Sequence, residues 1–161
     1  MTRVGDSGRR FRVRAAGVAI RDGRVLLDSW EGFRFFALPG GGVEQGETSD
    51  AALVREMREE LRTDVRVRRL LWVVENFYSL NGEAWHELAF YWEMTFAETA
   101  ACVRRDAFEA YDGDVLMNLA WVPLADLDDL NLVPTFLVDG LRDLPTATQF
   151  LVHDERPPSV A

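Results

Sequence analysis

The chain has no lysine: its 18 basic residues are all arginine. That absence excludes the phosphate-cradling GxxxxGK[ST] loop, and no GxGxxG dinucleotide fingerprint is present either. Cysteine is nearly absent too. Cys102 stands alone, which rules out an internal disulfide and suits a reducing compartment. No apolar run is long enough to cross a bilayer, and the basic start MTRVGDSGRRFRVR lacks a following apolar segment of signal-peptide length. A cytoplasmic protein without a membrane partner is expected. Positive charge is also scarce, and the net charge of -9 argues against nonspecific nucleic-acid binding, which depends on basic surface.

What is present suits one domain. With 161 residues, 48% of them hydrophobic, the chain can bury a sizeable core. No internal repeat, low-complexity tract or linker divides it. A single domain over residues 1–150 is expected, with 151–161 as a mobile tail.

The most informative stretch is residues 41–63, GGVEQGETSDAALVREMREELRT. It joins a glycine-rich turn to a helical pattern. A helix turns about 100° per residue, so Glu56, Glu59 and Glu60 fall within one arc about 100° wide. Like charges at this spacing repel by a few tenths of a kcal/mol per pair. A hard divalent cation such as Mg²⁺ removes the penalty, because it prefers oxygen ligands shared between carboxylates and substrate phosphate. Leu53, Val54, Met57 and Leu61 form an apolar stripe that can pack on a sheet. Thr48 or Ser49 can cap the helix, and Asp50 favours its positive end. Arg55 can reach Glu47 in the loop or Glu59 one turn on. A charged helix face is by default only solvated; here the glycine loop, Glu47 and Arg55 stand with it at fixed offsets.

This segment resembles the Nudix box, GX5EX7REUXEEXGU with U a bulky aliphatic residue, through Gly41, Glu47, Arg55, Glu56, Met57, Glu59 and Glu60. Arg62 stands where glycine is usual and Thr63 where an aliphatic is usual. A non-glycine residue in the left-handed conformation after a helix costs about 1–2 kcal/mol, a matter of local stability more than of metal chemistry. The resemblance implies a Nudix-like α/β/α sandwich with a mixed sheet and a loop-helix-loop motif. It also implies hydrolysis of a phosphoanhydride in a nucleoside diphosphate linked to another moiety. Mg²⁺, with Mn²⁺ as a substitute, would be held by Glu56, Glu59, Glu60 and the Gly40 carbonyl. The implied catalytic set is Glu56, Glu59, Glu60, Arg55 and Glu47, with the Arg55–Glu47 contact as a strut. Glu56 or a distal carboxylate, from Glu109, Asp112 and Asp114, is the general base.

Along the chain, strands are expected at Phe11–Ile20 and Arg24–Asp28 around an Asp22-Gly23 turn. Further strands at Asp64–Tyr78 and Trp85–Phe96 flank Asn81-Gly82, a strong hairpin signal. In the second of these, alternation runs through His86, Leu88, Phe90, Trp92 and Met94. Residues 97–116 read as a long acidic loop and Asn118–Val122 as the last strand. A short helix near Leu124–Leu130 and a final one from Pro134 to Leu144 complete the pattern.

Substrate residues are less marked. Arg34, Phe77 and Tyr78 are chosen for substrate binding. Trp30, Phe33, Phe108 and Tyr111 are further stacking candidates, and Arg21, Arg104 and Arg105 further phosphate contacts; single aromatics and arginines are more often packing or solubilising groups. Ser79 occupies the place where ADP-ribose hydrolases of the resembled family carry proline. The NADH-specific and coenzyme A signatures are also missing. This exclusion leaves a nucleoside triphosphate or damaged nucleotide as the first expectation. A non-hydrolytic nucleotide-sensing module is the alternative. An isopentenyl-diphosphate isomerase would need a cysteine in a different context from Cys102. A homodimer stays open.

Overall fold

Residues 9–157 are described by the computed structural model, and they build two five-stranded sheets with helices outside them. The first sheet has the order β10-β6-β7-β1-β5, from Gln149–Asp154, Val65–Leu80, Glu83–Phe96, Arg9–Val18 and Gly40–Gly42. It is mixed: β1 runs parallel to β7 and β10 parallel to β6, while β6–β7 and β1–β5 are antiparallel. The second sheet orders β2 (Ile20–Arg21), β3 (Arg24–Trp30), β9 (Val115–Pro123) and β8 (Ala107–Asp112), with β4 (Phe36–Ala37) paired on β3. Helix α1 (Ser49–Leu61) packs against β1, β5, β6 and β8. The short α2 spans Leu137–Gly140.

The turns follow from local chemistry. Asn81 and Gly82 have φ of 52° and 78°, and Asp22 and Gly23 have 51° and 72°. Paired positive φ values match the right-handed twist of the flanking strands. Two apolar cores result. Ala52, Leu53 and Met57 of α1 meet Ala15, Leu26, Met94 and Met117 in one. Trp72, Val74, Tyr91, Leu137 and Leu141 share the other.

Several sequence expectations are corrected. Residues 97–116 are not a long loop: they hold a short 3-10 turn at Ala101–Val103, strand β8 and the start of β9. Gly113, with φ of 58°, makes the hairpin turn within Asp112-Gly113-Asp114. The helix expected over Pro134–Leu144 shrinks to α2, and the Leu124–Leu130 helix is a 3-10 turn over Leu124–Asp129. Residues 151–154, assigned to the tail, lie in β10 and pair in parallel with β6, because Leu151 packs on the second core. Residues 158–161 of that tail, and residues 1–8, lie outside the described part. In β7 the buried positions are Glu87, Ala89, Tyr91 and Met94; of the bulky set read in the sequence only Met94 is among them. Glu87 and Tyr91 help form a cavity.

Candidate active site

Helix α1 is placed by the glycine loop. Close approach rather than positive φ demands glycine at Gly40, where a Cβ would overlap the Ala15 carbonyl; a Cβ at Gly41 would meet the end of the Glu56 side chain and push it aside. Only Gly46 in this loop has a positive φ, 84°. Thr48 is the N-cap residue, without a side-chain bond to the helix backbone. Arg62 takes the left-handed conformation at φ 51° and ψ 37°, and its N–H donates to the Arg58 carbonyl. The chain thus makes the turn that glycine usually makes, at the expected local strain.

Arg55 is the hub of the loop–helix junction. Its Nε and Nη2 donate to Glu47 Oε1 and Oε2 at 2.8 and 2.9 Å, and Nη2 also donates to the Gly42 carbonyl at 2.9 Å. Nη1 donates to Glu56 Oε1 at 2.9 Å and to Glu59 Oε2 at 3.3 Å. The hydrogen bonds from Arg55 hold the Glu47 carboxyl below its usual range. A planar fork suits this task and an ammonium would not.

The glutamates differ in surroundings. Glu59 is exposed, whereas Glu60 is only 6% exposed and belongs to the buried stripe with Ala52, Leu53 and Met57. This replaces part of the expected apolar stripe, in which Val54 is only half-buried. Burial, then the charges of Glu56 and Asp28, push the Glu60 carboxyl up to about 9. Its Oε2 is buried and accepts no hydrogen bond. Glu56 is raised as well, by burial chiefly, with Glu59 and Asp112 adding to it against the lowering influence of Arg55. Asp28 on β3 is fully buried without a well-formed hydrogen bond to either oxygen, and burial pushes it up to about 7 against the lowering influence of Arg14 and the Trp30 side chain.

A cluster of buried, under-satisfied carboxylates is costly unless a cation offsets it. The donors are all hard oxygens, the kind that Mg²⁺ takes, and the bare Glu60 oxygen and the Gly41 cradle around Glu56 fit such an ion. Among the described residues, no three acidic, imidazole or thiol groups are drawn into a ready cage. Arg55 Nη1 supplies the local countercharge to Glu56 and Glu59.

Of the distal carboxylates, Asp112 at the end of β8 is the one whose charge acts on both Glu56 and Glu60. Glu109 instead lines a cavity beside α1 with Glu59, Glu60, Arg62, Arg105 and Phe108. Tyr111 is 58% exposed. Arg21 is engaged at the surface by Glu98.

A second cavity, of about 280 Å³, opens between β1, β6, β7 and the 30–38 segment, lined in part by Trp30, Phe33, Phe35, Asn76, Tyr78 and Glu87. Tyr78, one of the expected substrate residues, lines this cavity. Phe77 does not line it: its neighbours Asn76 and Tyr78 do, and it lies on the other face of the strand, stacked on His86 at 4.4 Å with the Arg156 guanidinium 4.2 Å from its ring centre. Arg34 is exposed and outside the cavity lining; its carbonyl accepts from Asn131.

Sequence reasoning missed Arg12, Arg14 and Asn76. Arg12 and Arg14 line the cavity from alternate positions of β1, a period-two signal that could have marked them. Arg14 donates to the Leu38 carbonyl at 2.8 Å, and its charge acts on both Asp28 and Glu60. It joins the cavity electrostatically to the helix glutamates.

Comparisons with known proteins agree with this geometry. A family model described as NUDIX domain matches residues 11–139. A curated ADP-ribose pyrophosphatase from Methanocaldococcus jannaschii is 43% identical over 60 residues, which cover 35% of this chain and 36% of that protein. The match thus spans about a third of that relative's length. Among solved structures, a MutT NUDIX hydrolase from Burkholderia pseudomallei is 28% identical with a TM-score of 0.50, covering 72% of this chain and 85% of its own. A NUDIX hydrolase from Nitrosomonas europaea reaches a TM-score of 0.60 at 15% identity over 89% of this chain and 79% of its own, a likeness of fold.

Proposed function

The chain belongs to the NUDIX domain family, and we propose that it is a pyrophosphohydrolase that cleaves, with Mg²⁺, a phosphoanhydride of a nucleoside diphosphate linked to another group. A nucleoside triphosphate is the first substrate of this kind. The observation that carries the reading is Glu60, a buried carboxylate with a bare oxygen beside Glu56 and Asp28. Such a group is kept in a cleft at a cost that cation binding offsets.

Glu56, Glu59, Glu60 and the Gly40 carbonyl would hold the ion, and Mn²⁺ has the same ligand chemistry. When bound, it polarises phosphoryl oxygens and offsets their charge against an acidic protein. Arg55 keeps the helix and loop in register through Glu47 and the Gly42 carbonyl. Because Arg55 engages Glu56 Oε1, Oε2 is the atom that accepts the proton from the attacking water. Water adds to phosphorus, the bridging oxygen leaves with the departing phosphate, and Asp112 keeps Glu56 basic from across the cleft. Arg14, between the cavity and the glutamates, faces the substrate's phosphates.

The test is product identification by mass spectrometry over a panel of nucleoside triphosphates, oxidised nucleotides, ADP-ribose and UDP-sugars. ADP-ribose belongs in the panel because the curated relative is named for it. Release of monophosphate or pyrophosphate that needs Mg²⁺ and is lost in Glu59→Gln supports the assignment. Equal rates in both proteins sink it.

A further inference from the structure

Asn76 sits directly opposite Glu87 in the β6–β7 ladder, and both line the cavity between β1, β6, β7 and the 30–38 segment. They are buried, at 6% and 3% exposure. Glu87 has its partners: Oε2 accepts from Arg12 Nε at 2.5 Å and from the Tyr78 hydroxyl at 3.3 Å. Arg12 is itself braced, 5.0 Å over the Trp85 ring, with Nη2 donating to the Tyr78 hydroxyl at 3.2 Å. Asn76 differs. Its Oδ1 is buried and accepts no hydrogen bond. Buried amide oxygens nearly always find a donor, so one left bare on a cavity wall calls for a donor from outside the chain.

Aromatic side chains make up part of the same lining. Trp30, Phe33 and Phe35 are among them, the two phenylalanine rings 5.3 Å apart and tilted by 56°. Aromatic faces of this kind stack on a planar heterocycle. The volume of about 280 Å³ lies near the lower end of small-molecule sites, room for one base and sugar rather than an extended chain. Arg14, on the same lining, links the cavity to Glu60. A nucleotide can therefore span both, base in the cavity and phosphates toward the glutamates.

We propose that this cavity is the base subsite and that Asn76 is its specificity-determining residue, accepting an N–H from a nucleobase with an exocyclic amine. Adenine is one such base: its amine can donate to Oδ1 while the adjacent unprotonated ring nitrogen accepts from the amide N–H of the same asparagine. The inference rests on the nucleotide reading of the function. A water held on Oδ1 is the bland alternative, and it gives no preference between ligands.

Nucleosides test this without metal or turnover. In EDTA, adenosine and purine riboside, which lacks the amine, are titrated against the intact protein while tryptophan fluorescence is followed, Trp30 serving as reporter. Wild type should bind adenosine about tenfold more tightly than purine riboside, the worth of one hydrogen bond to a buried acceptor. Asn76→Leu should bind both alike and weakly, and its thermal melt shows whether it is folded. The comparison of two ligands on wild type stands even if that variant fails. Equal affinities in wild type, no nucleoside binding, or discrimination retained in a folded Asn76→Leu would each overturn the proposal. Failure of the hydrolysis panel with these affinities intact would count against the reaction alone.

Discussion

The carboxylate of Glu56 occupies the space where a side chain on Gly41 would begin. Loop and helix are therefore fitted to each other at the atom that matters most for the proposed chemistry. Gly41→Ala should displace Glu56 and lower kcat by about a hundredfold or more while the fold persists, since a 1 Å misplacement at a reacting centre has effects of about that size. Steady-state kinetics beside a circular dichroism melt check this. Unchanged kcat in the variant contradicts the role given to Glu56.

Arg55 is a fork holding two carboxylate oxygens of Glu47 and one carbonyl. Arg55→Lys keeps the charge and loses the geometry. It should lower kcat at least tenfold, close to the effect of Arg55→Ala, whereas a purely electrostatic role would leave the lysine variant near wild type. Parallel kcat measurements on the three proteins decide.

Glu60 makes stability depend on pH with a definite sign. Its carboxyl is raised from 4.5 to about 9 in the fold, so between these values the native state holds a proton that the unfolded chain has released. Stability of the metal-free protein should then fall as pH rises through this window. Asp28, raised from 3.8 to about 7, acts the same way over its lower range. Urea melts in EDTA from pH 5 to pH 9 should show the decline, and Glu60→Gln should flatten it. A rise with pH refutes the assignment.

Much of this was legible in the sequence and some was not. The glycine loop and helix could be read because their spacing is local: Gly41, Glu47, Arg55 and the three glutamates sit within a few turns of one another. The Asn81-Gly82 hairpin announced itself by its turn chemistry. The β8–β9 hairpin did not, because its exposed, acidic first strand looks like a loop until pairing with β9 stabilises it. Phe77 and Tyr78 are sequence neighbours, yet strand geometry sends them to opposite faces, and only the register fixes which one meets the cavity. Glu60 read as one of three equivalent glutamates on a helical arc, and only the packing of α1 on the strands buries it with Ala52, Leu53 and Met57. Arg12, Arg14 and Asn76 were missed because their meaning comes from two distant strands meeting.

Arg62 carries left-handed strain that glycine would not, at φ 51°. Arg62→Gly removes it but also removes a cation favourable to the helix C-terminus. The net gain should be up to about 1 kcal/mol, a rise in Tm of about 2–4 °C for a domain of this size, with kcat unchanged. Differential scanning calorimetry reads this directly, and a loss of stability would show that the arginine cap is the better one.

The central claim is that the glutamates of α1 take up a divalent cation next to a scissile anhydride. Isothermal titration of the folded protein with Mg²⁺, in the presence of a non-hydrolysable nucleotide analogue, tests it most directly. Saturable binding that releases protons near neutral pH, and that weakens at least tenfold in Glu56→Gln and Glu59→Gln, is the result expected. No heat of binding in wild type, or the same affinity in all three proteins, would contradict it.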